Sequence, residues 1–368
     1  MLENIGVKYG ILNSRNLNKP GAKKLPTNWL AVSVLLFGVV VLPAHAVIGI
    51  AYQMQLGNPS NATNDTNNHD HFLIQRTVEA IDYNDNLREP NWASWDLTTS
   101  DVGSSGRSSN FYLDTNLPMG FYEVKPTDYS GSGYDRGHMC PSGDRTDNTT
   151  DNDLVFFMSN IIPQTPDNNQ GVWENLETYS RTLASAGNEL LIICGPNGFN
   201  TDRINAAGLV YIPSNVWKII VVVTNGTGTA LNRITTSTRV IAVNIPNISG
   251  IRSAPWTNYL VSVNQLQTNT GYTFFSALPA YTAIVLRAKI DGQPIPVIAP
   301  PISGSMTNGN NFVLAWPSAA TGFVLQQNSN LKSTNWTTYG GTITTNGDTV
   351  NVSIPSSSGN NFFRLKHP

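Results

Sequence analysis

The sequence predicts an α+β protein that ends in a small all-β module, and three observations predict it. Short β-like runs at residues 72–78, 190–194, 217–223 and 240–243 are each bounded by Gly, Pro or Asn. Residues 172–186 place Leu176, Tyr179 and Leu183 on one helical face, with Gly187 positioned to stop the turn. Near residue 290 the texture breaks, because Pro294, Pro296, Pro300 and Pro301 crowd together before Gly304. Beyond that break, alternating Val350, Val352 and Ile354 and the runs around Trp316 and Trp336 read as a small β-sandwich.

Taken in order, the chain begins with Lys8, Arg15, Lys19, Lys23 and Lys24 ahead of an apolar run from Trp29 to Pro43 and then Ala44-His45-Ala46. The run is short for a membrane span and ends in a small-x-small site, which favours a signal peptide cleaved after Ala46 over a retained anchor. The expected destination is secretion, the periplasm or the cell surface, with no stable membrane partner. Residues 56–71 are rich in Asn, Asp and Thr and read as loop. The expected organisation is a signal segment (1–46), a main domain (47–290), a Pro-rich linker (291–303) and the β module (304–368). At 368 residues the chain has room for two domains.

Charge excludes one class of function. The whole chain carries 22 Lys+Arg and 24 Asp+Glu, and loss of the five basic residues above together with Glu3 leaves 17 against 23. A net charge of −6 argues against stable packaging of nucleic acid, which needs many neutralised phosphates. It leaves room for an enzyme that concentrates positive charge in one cleft and borrows a divalent cation. The two cysteines, Cys140 and Cys194, are compatible either with a disulfide, which export permits, or with two buried thiols. A zinc site would need more ligands than the nearby sequence supplies.

The chemistry concentrates in Tyr134-Asp135-Arg136-Gly137-His138-Met139-Cys140-Pro141. Here a guanidinium that can grip a phosphate adjoins an imidazole that can take a proton. Ser159-Asn160 follows an apolar run, and Asn169-Gln170-Gly171-Val172-Trp173-Glu174-Asn175-Leu176-Glu177 opens the helix. These two blocks, Asp-Arg-Gly-His and Asn-x-Gly-x-Trp-x-x-Leu-Glu, resemble the DNA/RNA non-specific endonucleases of the ββα-metal, or His-Me finger, group. The resemblance runs over roughly residues 54–288. It includes Gly57-Asn58-Pro59-Ser60, Asn91-Trp92-Ala93-Ser94-Trp95, Arg107 with Phe111 and Asp114, Cys194-Gly195-Pro196 and Thr270-Gly271-Tyr272-Thr273-Phe274-Phe275. Gln267 departs from the usual Glu before the Thr-Gly turn, a change expected to touch packing more than chemistry.

The resemblance implies a ββα-metal nuclease domain with a central antiparallel sheet and flanking helices, acting on DNA and RNA. It implies that His138 is the general base and that Asn169 binds Mg2+ directly, with Mn2+ a possible substitute. Glu177, eight residues further on, is then the carboxylate that holds the ion's waters. That division suits a cation that prefers oxygen and keeps several waters. Arg136 and Arg107 are the candidates for phosphate contact, and Asn160 for orienting a water or the histidine loop. An unperturbed imidazole is already mostly neutral at pH 7, so no large pKa shift is required of His138.

Plainer roles exist for each residue. Asn169 can be a helix cap, Glu177 a solvated helix carboxylate and Arg107 a surface ion-pair partner. His69 and His71 sit in the Asn-rich leader without further ligands and read as structural. Two other functions compete with the nuclease: an exported binding or adhesion protein with an inactive nuclease-like domain, and a small-molecule phosphodiesterase. The first should have lost His138, Asn169 or Glu177, and all three are present. The second is separated by comparing plasmid with a nitrophenyl phosphodiester.

Overall fold

Six strands, at residues 72–75, 80–84, 89–97, 188–204, 210–224 and 239–246, pair antiparallel in that order into one sheet. The computed structural model describes residues 51–204, 209–307, 311–355 and 360–367, and the segment read as a signal peptide lies outside the described residues. The main domain contains β1 (Phe72–Gln75), β2 (Ala80–Asn84), β3 (Glu89–Leu97), β4 (Asp135–His138), α1 (Thr149–Leu154), β5 (Ile161–Gln164) and α2 (Glu174–Ser185). It continues with β6 (Asn188–Ile204), β7 (Val210–Thr224), α3 (Ala230–Arg233), β8 (Arg239–Pro246), α4 (Val263–Thr270) and α5 (Ala280–Ala288). β4 and β5 stand apart as a two-stranded ribbon.

The four apolar runs mark β1, β6, β7 and β8 but not their ends, and leave β2 and β3 unmarked. The run 72–78 ends as a strand at Gln75, because the Arg76 N–H bonds the Glu79 carbonyl at 2.8 Å and turns the chain, and β2 begins beyond it at Ala80. β3 shows no alternation in sequence because all nine of its residues are buried, polar Asn91, Ser94 and Asp96 included.

Residue period 2 gives the sheet two apolar faces. Leu190, Ile192 and Cys194 of β6 face one way, with Ile81, Trp95, Ile220 and Ile241, and meet Trp173, Leu176 and Ala184 beside α2 together with Met139 and Ile162 of the β4–β5 region. Leu191 and Ile193 face the other way, with Trp217, Ile219 and Ala242, and are covered by Val263 and Leu266 of α4, Phe274, Phe275, and Ala283 and Leu286 of α5. The sheet is therefore the middle layer, and the β4–β5 ribbon and α2, which carry or adjoin the candidate residues, pack on its first face. Gly187, at φ +88°, ends α2 and lets the chain turn directly into β6.

The C-terminal strands are β9 (Ser303–Met306), β10 (Asn311–Pro317), β11 (Val324–Asn328), β12 (Thr337–Thr338), β13 (Thr344–Asn346), β14 (Thr349–Pro355) and β15 (Phe362–Lys366). They form sheets β13-β14-β10-β9 and β12-β11-β15 around Leu314, Trp316, Leu325 and Val352. Tyr281 and Val285 of α5 join that same core, and Ile298 and Ile302 from the Pro-rich stretch pack against it. The Tyr281 hydroxyl also donates to the Ile298 carbonyl at 2.8 Å. Among the described residues no helix is long and apolar enough to cross a membrane. Cys140 and Cys194 are both buried, free thiols, and Cys194 Sγ lies 3.7 Å from Met139 Sδ.

Candidate active site

The site is assembled on the β4–β5 ribbon, where Asp135 pairs with Gln164, Gly137 with Ile162 and His138 with Ile161. The strands approach closely at Gly137: a Cβ there would fall 2.7 Å from Gln164 Cβ, so a larger residue would push the strand that carries His138. Behind the ribbon, Gln164 Nε2 donates to Asn168 Oδ1 at 2.6 Å and Asn168 Nδ2 donates to the Pro246 carbonyl at 2.8 Å. These bonds tie β5 to the turn that leads into α2.

His138 is only 7% exposed. Its ring stands edge-on to Phe156, with centroids 4.7 Å apart, and tilted against Phe111 at 5.3 Å. Each of these rings carries a guanidinium on its own account. Arg136 lies over Phe111 at 4.5 Å and Arg107 over Phe156 at 5.1 Å. Both arginines are exposed, and among the described residues neither forms a salt bridge. Burial first, and then the fields of Arg107 and Arg136, lower the His138 pKa to about 3. The buried Nε2 has no hydrogen-bond partner among the described residues. The arrangement is a neutral imidazole flanked by two cations free to take an anion.

Asn160 is fully buried and its side chain is spent on the chain just beyond the histidine. Its Oδ1 accepts from the Cys140 N–H at 3.0 Å, and its Nδ2 donates to the carbonyls of Cys140 and Val155, both at 2.9 Å. The Met139 N–H donates to the Asn160 carbonyl at 3.0 Å. Of the two roles considered for Asn160, this geometry is that of a clamp on the histidine loop.

Asn169 lies in a π-helical turn, Asn168–Trp173, which runs into α2. Such widened turns recur at functional sites because they displace one residue from regular helical register. Asn169 Nδ2 donates to Asp135 Oδ2 at 2.9 Å, and Gln170 Nε2 donates to the same oxygen at 2.7 Å. An ionised carboxylate only accepts, so it fixes which way the Asn169 amide faces and leaves Oδ1 as the outward acceptor. Asp135 is thus a positioning residue that sequence reasoning passed over, although it stands inside the motif. Asp135 and His138 occupy the two ends of β4, their backbones about 10 Å apart at the strand's rise per residue, so one strand carries both the imidazole and the carboxylate that orients the amide.

Glu177 is reached from beneath by Lys218, whose Nζ lies 3.7 Å from Oε1. Lys218 is 1% exposed and sits in the middle of β7, on the site face with Val216 and Ile220. Its ammonium lies 4.0 Å from the Trp173 ring centroid and 5.6 Å from that of Trp95. Burial raises the Glu177 pKa to about 7, against the opposing pull of Lys218. Lys218 is the second residue missed from sequence, and its signal was a lone lysine inside an apolar strand.

Among the described residues no three His, Cys, Asp or Glu side chains converge as a metal cage. What is present is one oriented amide oxygen and one largely buried carboxylate, a sparse oxygen set that fits a hard divalent cation retaining its waters and does not fit zinc. Removing the amide's support tests this. Asp135→Ala is expected to weaken Mg2+ binding by 10- to 100-fold in a calorimetric titration, the usual cost of losing a residue that orients a ligand. Unchanged affinity would show that Asn169 needs no such support. His69 and His71 are engaged with Asp85 (2.9 Å) and Asp82 (2.8 Å), which makes them part of the leader's anchorage.

The family model described as DNA/RNA non-specific endonuclease matches residues 57–281. A nuclease of Nostoc sp. (strain PCC 7120 / SAG 25.82 / UTEX 2576) is 44% identical over 242 residues, which cover 66% of this chain and 87% of that protein. The mitochondrial nuclease EXOG of Xenopus laevis is 31% identical over 211 residues, 54% of this chain and 57% of its own length. The crystal structure of the EndoG/EndoGI complex superposes with a TM-score of 0.56 at 22% identity, over 67% of this chain and 97% of that one, a likeness of fold. By motif, architecture and extended similarity, the chain belongs to the DNA/RNA non-specific endonuclease family and is a nuclease, hence a hydrolase.

Proposed function

We propose that the protein is an exported, magnesium-dependent endonuclease that hydrolyses DNA and RNA without sequence preference, with His138 as general base. The observation that carries this reading is the shared strand: β4 bears His138 at one end and, at the other, the Asp135 that orients the Asn169 amide. Arg136 and Arg107 draw a backbone phosphate toward the imidazole by charge and by their planar, two-pronged donors. His138 then takes the proton of the attacking water, a role open to it because burial keeps the ring neutral. Asn169 and Glu177 would hold the divalent cation, which supplies positive charge to the leaving oxygen. Contacts confined to phosphate carry no base information, which supports a lack of sequence preference. Export rests on the basic start, the apolar run and Ala44-His45-Ala46.

The test is digestion of plasmid DNA and of RNA by the purified protein with Mg2+, with Mn2+ and with EDTA. Cutting of both polymers that EDTA abolishes is expected, and digestion that survives EDTA would sink the metal requirement.

The state of His138 has its own consequence. A folded pKa of about 3 against an ordinary value of 6.5 means that the unfolded chain binds the extra proton between those values. The neutral ring therefore contributes stability that is complete above about pH 6.5 and is lost as pH falls toward about 3. In NMR the His138 ring signals are expected not to titrate from about pH 8 down to about pH 5. A midpoint near 6.5 would show that the ring is solvated.

A further inference from the structure

Beyond the scissile centre, two adjoining cavities extend the site along the 126–134 loop. The smaller, about 130 Å³, is bounded by Asp135 and Arg136 and includes Tyr129, a buried tyrosine whose hydroxyl has no hydrogen-bond partner among the described residues. The larger, about 280 Å³, shares Ser130 and Tyr134 with it and runs to Arg203 near the distal end of the β6–β7 ribbon. Arg203 is exposed but held in place, with its guanidinium 4.2 Å above the Tyr211 ring and bonded to the Tyr211 hydroxyl. Tyr134 is half-buried between the two cavities. The sequence of features from Arg136 is therefore cation, aromatic ring, cation, along a channel formed by two cavities that share Ser130 and Tyr134.

We propose that this channel is a nucleotide subsite, in which Tyr134 packs against the nucleoside next to the scissile phosphate and Arg203 holds the following phosphate of the same strand. The proposal rests on the nuclease reading and deepens it. Alternation of aromatic faces with cations is the chemistry that tracks a single strand, since every base offers a π face and every link a negative charge. In a chain of net negative charge, a fixed cation at the far end of such a channel matters most for anionic polymers. A substrate with one phosphate and no flanking nucleotide never reaches it.

The discriminating measurement is the ratio of kcat/KM on a single-stranded oligonucleotide of about 12 residues to kcat/KM on bis(p-nitrophenyl) phosphate, both with Mg2+. Arg203→Ala is expected to lower that ratio about tenfold, and Tyr134→Leu by a similar factor. In a His138→Ala background, Arg203→Ala should also make the log-log salt dependence of oligonucleotide binding shallower by about 0.7, the contribution of one phosphate contact on a single strand. Ratio and slope both unaltered in a wild type that cuts both substrates would overturn the subsite alone. A wild type that cuts neither would overturn the nuclease reading and the subsite with it.

Discussion

Replacing His138 with alanine is expected to lower kcat on plasmid DNA by about 10² to 10⁴-fold, the range spanned by loss of a positioned general base. Arg136 and Arg107 stack on Phe111 and Phe156 and do not depend on the imidazole for their placement, so substrate binding should survive. Asn169 takes its orientation from Asp135, so metal affinity should survive as well. The expected signature is a fall in kcat with KM and the Mg2+ dissociation constant little changed. A variant that digests plasmid at the wild-type rate would remove His138 from the base role. A variant that loses metal binding too would mean that the ring supports the site structurally.

Lys218→Met is expected to destabilise the fold by about 3 kcal/mol at about pH 8 in EDTA, the lower end of the cost of leaving one member of a buried ion pair alone. Methionine fills much of the same volume between Trp95 and Trp173, so the effect isolates the charge. Glu177, already raised from its ordinary 4.5 to about 7 with Lys218 beside it, moves higher without it. Because the folded form then holds the proton that the unfolded form releases, the destabilisation grows as pH rises through 7 and shrinks toward pH 4.5. Urea melts at both ends of that range check the sign. Equal losses at both would show that the ammonium acts by packing alone.

The candidate residues of the site were legible in the sequence and the groups that support them were not. His138, Asn169 and Glu177 stand in short polar motifs, and polar residues at fixed spacing beside a helix start are what sequence exposes. The depth of His138 depends on Phe111 and Phe156, which only the tertiary fold brings to the ring, so an ordinary imidazole was expected where a strongly depressed one is found. Asp135 was in view, but its partner Asn169 arrives from another element, and a hydrogen bond between elements leaves no mark on either segment. β3 escaped notice because burial on both faces erases the alternation that announces a strand. The outer parts of β6 and β7 escaped because residues such as Asn200, Asp202 and Arg203 are exposed and polar, so the apolar runs stop before the strands do. Lys218 is the residue a closer reading would have caught, since an uncompensated charge inside an apolar strand calls for a partner.

The helix α5 serves two interiors at once. Its Ala283 and Leu286 close the underside of the main sheet, while its Tyr281 and Val285 complete the core of the C-terminal strands. Proteolysis in the Pro-rich stretch that released those strands would strip an apolar flank from the helix that seals the nuclease, giving a sticky remnant in place of a trimmed enzyme. Evolutionary loss of the appendage would accordingly demand new polar residues at 281 and 285, and any survivor lacking it should carry them.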